Sequence, residues 1–182
     1  TPSSQATGFR HGTSIVDNAN RHLDSGIVVR IDLKDFFPSI TFTRIRGYFE
    51  SVGYNPGIAT ILGLLTTDAQ RRSIRFEDQT LYVARSEPTL PQGACTSPAL
   101  SNLIARGLDE RLNAWAATQA DGGWRYSRYA DDMVFSHSSQ TADVGVLLGF
   151  ARRVISEEGF VVNESKTAVM RKPSRQFVTG LV

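Results

Sequence analysis

The stretch Trp124-Arg125-Tyr126-Ser127-Arg128-Tyr129-Ala130-Asp131-Asp132-Met133-Val134-Phe135-Ser136 decides how the rest of the chain is read. Two short runs of β-formers enclose two adjacent carboxylates. Asp suits turns, but turn residues are seldom enclosed this closely by apolar β-formers without Gly or Pro. A tight hairpin holds Asp131 and Asp132 at its tip, where their repulsion is tolerable only beside a cation. A plain solvated turn accounts for the pair equally well, so a further acid is needed to separate the two readings.

That acid follows a second strand. The run Gly26-Ile27-Val28-Val29-Arg30-Ile31-Asp32 is β-branched and nearly continuously apolar, as buried strands are. Asp32 ends it, where a carboxylate is costly without a partner. A helix cap or an ordinary strand-end acid is the plainer alternative. Together, a strand-end Asp and a hairpin-tip pair supply oxygen donors of the kind that hold Mg²⁺. Two such ions about 3.5–4 Å apart clamp the attacking and leaving oxygens of a phosphoryl transfer.

Four ordered blocks extend this reading. Asp32 to Ile40 resembles the first palm block of reverse transcriptases. Leu90-Pro91-Gln92-Gly93-Ala94-Cys95-Thr96-Ser97-Pro98 resembles the second, Tyr129 to Asp132 the Tyr-X-Asp-Asp block, and Gly159 to Thr167 the fourth. Asn18-Ala19-Asn20-Arg21-His22 resembles the Asn-Ala-X-X-His block of retron enzymes, and Val178-Thr179-Gly180 their Val-Thr-Gly block. Gly8-Phe9-Arg10 with Ser14-Ile15 is similar to a fingers segment of retron and group II intron enzymes.

The resemblance implies an α+β right-hand polymerase palm with an antiparallel sheet, packed helices and partial fingers. It implies RNA-directed DNA synthesis from dNTPs on an RNA template and primer, with two Mg²⁺ ions, Mn²⁺ being a substitute. Asp32, Asp131 and Asp132 are then catalytic and metal-binding, with the Leu33 carbonyl as a further ligand. Phe37 stands where related polymerases place a steric gate against a ribose 2′-hydroxyl, although Phe36 and Phe37 are equally readable as core. Asp35 and Phe36 offer backbone N–H groups to a triphosphate. Gln92 donates to the incoming nucleotide, and Gly93 permits close backbone approach. Arg10 pairs with the triphosphate, and Lys166 faces the leaving pyrophosphate. Asn18, His22, Val178, Thr179 and Gly180 fall in blocks associated with RNA binding, while Asn18 and His22 are also readable as a cap and a packed polar residue. A structured noncoding RNA, an effector protein and a role in antiviral defence go with the retron reading. Group II intron-like and phage-defence reverse transcriptases, a nucleotide cyclase, and a catalytically weak nucleic-acid-binding palm remain the alternatives. Enzymes of this kind carry more fingers sequence before Gly8 and a helical thumb after the Val-Thr-Gly block. Residues 1–182 are therefore expected to be one catalytic-domain fragment, weak or inactive alone.

Composition sets looser bounds. The chain has 182 residues, 41% hydrophobic and 21% charged, with a net charge of +2. That suits one domain or two small lobes, and the charge alone does not mark a nucleic-acid binder. Cys95 is the single cysteine, so no intrachain disulfide forms, and a reducing cytoplasm with no membrane association is the expected setting.

The remaining elements follow from periodicity. Helices are expected over Thr43 to Phe49 and Ile58 to Leu65, and a hairpin around Glu77-Asp78-Gln79. One helix capped by Ser97 is expected to carry Leu100, Leu108, Leu112 and Trp115, and another Val144 to Ile155, ended by Gly159. Val161 to Met170 and Gln176 to Val182 read as β segments.

Overall fold

The computed structural model describes residues 1–119, 123–172 and 174–181. In chain order the elements are α1 (Ile15–Asn20), β1 (Ile27–Asp32), α2 (Phe42–Ser51), α3 (Pro56–Thr66), β2 (Arg71–Phe76), β3 (Gln79–Ala84), α4 (Ser97–Ile104), α5 (Arg106–Ala117), β4 (Arg125–Tyr129), β5 (Asp132–His137), α6 (Val144–Glu157) and β6 (Ala168–Arg171). The architecture is α+β with antiparallel pairing. The chain divides into two compact units, residues 1–36 with 105–182, and residues 37–104.

The first unit is built on a four-stranded sheet in the order β4-β5-β1-β6. The apolar run before Asp32 becomes β1, and pairing on both sides buries it. Strand alternation sorts the side chains onto two faces. One face presents Ile27, Val29, Ile31, Tyr126, Met133 and Phe135, all buried. Helices α5 and α6 belong with this core; their stripes bury Leu108, Leu112, Leu147, Ala151, Val154 and Ile155, and Trp115 stacks on Phe150. The opposite face carries Val28 and Val134, which cluster with Ala19 of α1 and with Val178 and Met170. Residues 5–7 lie along β4, where Arg128 N donates to Gln5 O and Thr7 N to Arg128 O.

The second unit holds α2, α3, the β2–β3 hairpin and α4. Thr41 caps α2, and Asn55 caps α3 with Pro56 in the first turn. Phe42 packs against Gly63, where an added Cβ would lie 2.8 Å from the ring.

Three expectations are corrected. The helix after Ser97 is two helices, broken at Ala105. Ser97 lies inside the first of them, and its hydroxyl donates to Pro91 O at 2.7 Å rather than capping. The segment Val161 to Met170 is mostly not strand. Val162 makes only an isolated bridge to Leu33, a 3₁₀ turn spans Glu164–Lys166, and pairing resumes at Ala168. Polar Asn163, Glu164 and Ser165 favour such a turn over a ladder. The third is Gln176 to Val182: Val178 pairs only with Leu181 across a tight turn at Thr179-Gly180, both with positive φ, and Val182 lies outside the described residues. Among the described residues, no helix is long and apolar enough to cross a membrane.

Candidate active site

The acids are positioned by two strand ends and the turn between β4 and β5. That turn is the two residues Ala130-Asp131, with Ala130 at φ 56°. A positive φ at the first turn position matches the twist of a two-residue hairpin, but a side chain there is strained. The strain is held from two sides. Gly8 lies against the turn so closely that an added Cβ would sit 2.8 Å from Ala130 N. From within, Arg128 Nη1 donates to the Ala130 carbonyl at 2.8 Å.

Arg128 is fully buried and meets the equally buried Asp109 of α5 through two bonds of 2.8 Å. The Tyr126 hydroxyl donates to the same carboxylate at 2.8 Å. The Arg128 guanidinium also lies over Phe36, 5.5 Å from the ring centre, and Phe36 packs on Phe160. A buried ion pair with every bond made fixes geometry even where its net stabilisation is small. Sequence reading missed this pair. The signal was present: Arg128 alternates in phase with Tyr126, and Asp109 is in phase with Leu112 and Ala116 on the stripe of α5.

Asp32 and Asp132 are directly opposed across β1 and β5, so both lie on one face of the sheet. Asp131 sits in the turn one residue before, and its carbonyl accepts from Leu33 N at 2.9 Å. Asp32 accepts from Asn163 Nδ2 at 2.9 Å and pairs with Lys166 Nζ at 3.3 Å. Asp132 Oδ1 is buried and accepts no hydrogen bond among the described residues. Arg30 Nε stands 3.5 Å from it, an ion pair without a hydrogen bond. Burial raises the Asp132 pKa to about 6, with Asp131 and Asp32 adding to the rise and Arg30 and Lys166 opposing it. The cluster thus holds more negative charge than its two cations satisfy.

These residues fit a divalent cation. An unbonded, buried carboxylate oxygen among three acids is the chemistry that a hard cation relieves. The fit is of an open kind: among the described residues no three His, Cys, Asp or Glu side chains close into an ion cage. Asp32 is drawn toward Asn163 and Lys166, and Asp132 toward Arg30.

The other expected site residues are placed as follows. Asp35 is exposed with φ 48°, Phe36 is core, and Phe37 is half-buried in the second unit. Gln92 and Gly93 are exposed in that unit, Gly93 at φ 91°, which only glycine adopts without strain. Arg10 Nη1 is bonded to the Ser3 and Ala6 carbonyls. Asn18 is buried, accepting from Thr7 Oγ1 at 2.8 Å and donating to Thr179 Oγ1 at 3.2 Å. The Asn-Ala-X-X-His and Val-Thr-Gly blocks therefore meet each other. His22 is buried between Ser136 Oγ at 2.7 Å and Ser127 Oγ at 2.6 Å. Both side chains are thus enclosed and bonded within the protein.

Solved telomerases from Candida albicans and Candida tropicalis, each in complex with a fragment of telomeric RNA, match with TM-scores of 0.58 and 0.59 at 10% and 13% identity. The matches cover 85% and 90% of this chain and 29% of each telomerase. The fold is that of a right-hand polymerase. In sequence, residues 2–180 match the family described as reverse transcriptase (RNA-dependent DNA polymerase), and the chain belongs to that family. It is 44% and 41% identical to the retron Mx162 and Mx65 reverse transcriptases of Myxococcus xanthus, and 36% identical to the retron Ec86 reverse transcriptase of Escherichia coli, over 96–98% of its length. The chain spans 38%, 41% and 48% of those three relatives.

Proposed function

We propose that this chain is the catalytic part of a retron-type, RNA-directed DNA polymerase that copies a structured noncoding RNA in the cytoplasm. The observation that carries the reading is the opposed Asp32–Asp132 pair with Asp131 in the adjoining turn, in a chain of this family. Asp32, Asp131, Asp132 and the Leu33 carbonyl would hold Mg²⁺. When bound, the metal activates a primer 3′-hydroxyl and neutralises triphosphate charge.

The remaining work is positioning and charge, which phosphoryl transfer chiefly requires. Asn163 and Lys166 fix the Asp32 carboxylate, and Arg30 holds Asp132. Lys166 is more than half exposed, so its ammonium is placed to follow negative charge onto a departing pyrophosphate. In this reading Phe37 supplies a ring against the sugar, and Gln92 and Gly93 contact the nucleotide. An effector protein and a defence role accompany the retron reading.

Primer extension by the full-length parent protein tests the proposal. Mg²⁺-dependent DNA synthesis on an RNA template is expected, and its loss in Asp32→Asn and Asp131→Asn. Wild-type extension by either purified variant would reject the assignment.

A further inference from the structure

The β2–β3 hairpin takes no part in the acid cluster, yet its composition is not that of an idle loop. Both strands are exposed along nearly their whole length. The register opposes Arg71 to Ala84, Ser73 to Tyr82, and Arg75 to Thr80. Directly opposed residues share a face. One face thus gathers Arg71, Arg75, Tyr82 and the hydroxyls of Ser73 and Thr80. The other gathers Arg72, Ile74, Leu81, Val83 and Phe76.

Tyr82 is 72% exposed, so its ring gains little from the fold. Among the described residues, Arg75 and Tyr82 make no side-chain hydrogen bond, ion pair or ring contact. Arg71 is partly neutralised by Asp68 at 3.3 Å. The uncommitted Arg75 and the Asp68-paired Arg71, on either side of a bare ring, match an unpaired nucleic-acid strand. Rings stack on splayed bases, and arginines take the phosphates beside them. A duplex keeps its bases stacked and offers Tyr82 nothing. The two hydroxyls favour RNA, since a 2′-hydroxyl both donates and accepts.

The geometry points to a single-stranded RNA segment bound across the Arg71–Arg75–Tyr82 face of this hairpin, with one base on Tyr82 and phosphates on the arginines. This contact uses none of the three acids. It goes beyond the proposed polymerase reading and does not require DNA synthesis.

The test is fluorescence anisotropy of the 182-residue chain with a labelled, unstructured oligouridine across a salt series. Tyr82→Ala is expected to weaken binding on the order of tenfold, the effect of one lost base–ring stack, while Tyr82→Phe retains it. Arg75→Ala should lower the salt slope by about 0.7, one phosphate contact on a single strand. Arg72→Ala removes the same charge from the other face and should leave the slope unchanged. Oligouridine bearing 4-thiouridine should crosslink to the peptide containing Tyr82. All three positions are solvent-facing, so melting temperatures should stay near wild type. Equal losses for Arg72→Ala and Arg75→Ala would reduce the effect to general charge and overturn the proposal. Unchanged affinity in Tyr82→Ala, or equal affinity for the matching DNA, would overturn it too. Asp131→Asn should bind this RNA normally, so failure here is distinguishable from failure of the polymerase reading.

Discussion

Replacing Arg128 by Met keeps the length of the side chain but removes its charge. The variant loses both bonds to Asp109 and the bond to the Ala130 carbonyl. Asp109 is left fully buried, with only the Tyr126 hydroxyl as donor among these partners. Breaking a buried pair on one side costs about 3–5 kcal/mol, because an uncompensated charge stays inside. For a chain of this size that is a fall in Tm of about 10 °C. Trp115 and Trp124 lie in the same unit as the pair, so tryptophan fluorescence in urea reports its unfolding. Replacing the whole cluster, Asp109→Leu with Tyr126→Phe and Arg128→Met, removes the stranded charge and should recover most of the stability. It does not restore a donor to the Ala130 carbonyl. The hairpin tip should therefore remain loose, and metal affinity should stay low in a stable protein. A single Arg128→Met variant within about 1 kcal/mol of wild type would refute the reasoning. So would a triple variant that regains stability and metal affinity together.

His22 predicts a pH dependence. Burial, with the charges of Arg125 and Arg21 behind it, pushes its pKa down to about 3. Its contribution is complete above about pH 6.5 and is lost as pH falls toward 3, at about 1.4 kcal/mol per unit, because the unfolded chain takes a proton that the folded one refuses. Asp132, raised to about 6, acts in the opposite sense between about 6 and 3.8. Urea midpoints should therefore fall more steeply from pH 7 to pH 5 in Asp132→Asn than in wild type; a shallower fall contradicts these assignments. Gly8→Ala places a Cβ 2.8 Å from the backbone of the turn, which cannot yield as a side chain would. A stability loss of about 1–3 kcal/mol is expected, measurable by thermal melting, and an unchanged Tm would show that the turn moves freely. Phe37→Val in the full-length parent should lower the ratio of kcat/KM for dNTP over rNTP; an unchanged ratio in a well-folded variant rejects the gate.

Much of the site was legible because its parts are local. A β-branched run ending in Asp32, and two β runs enclosing Asp131 and Asp132, specify strands and a turn without distant information. Their adjacency follows once the strands are antiparallel. The break at Ala105 was hidden because the apolar spacing on its two sides stays in helical phase. The turn at Glu164–Lys166 was hidden by the apolar residues around it, Val161 and Val162 before and Val169 after. The roles of Asn18 and His22 depend on pairing across more than 100 residues, with Thr179 and with Ser127 and Ser136. No local pattern separates such a clip from a surface ligand. The Asp109–Arg128 pair was readable in phase on each element, but only the packing of α5 on β4 joins the two.

Mn²⁺ binding to the 182-residue chain, followed by electron paramagnetic resonance, tests the metal centre directly and needs neither primer nor template. Wild type should bind the ion, and Asp32→Asn and Asp131→Asn should each weaken it by tenfold or more, about 1.4 kcal/mol or greater. Binding by both variants as tight as wild type would show that these carboxylates do not form the metal site.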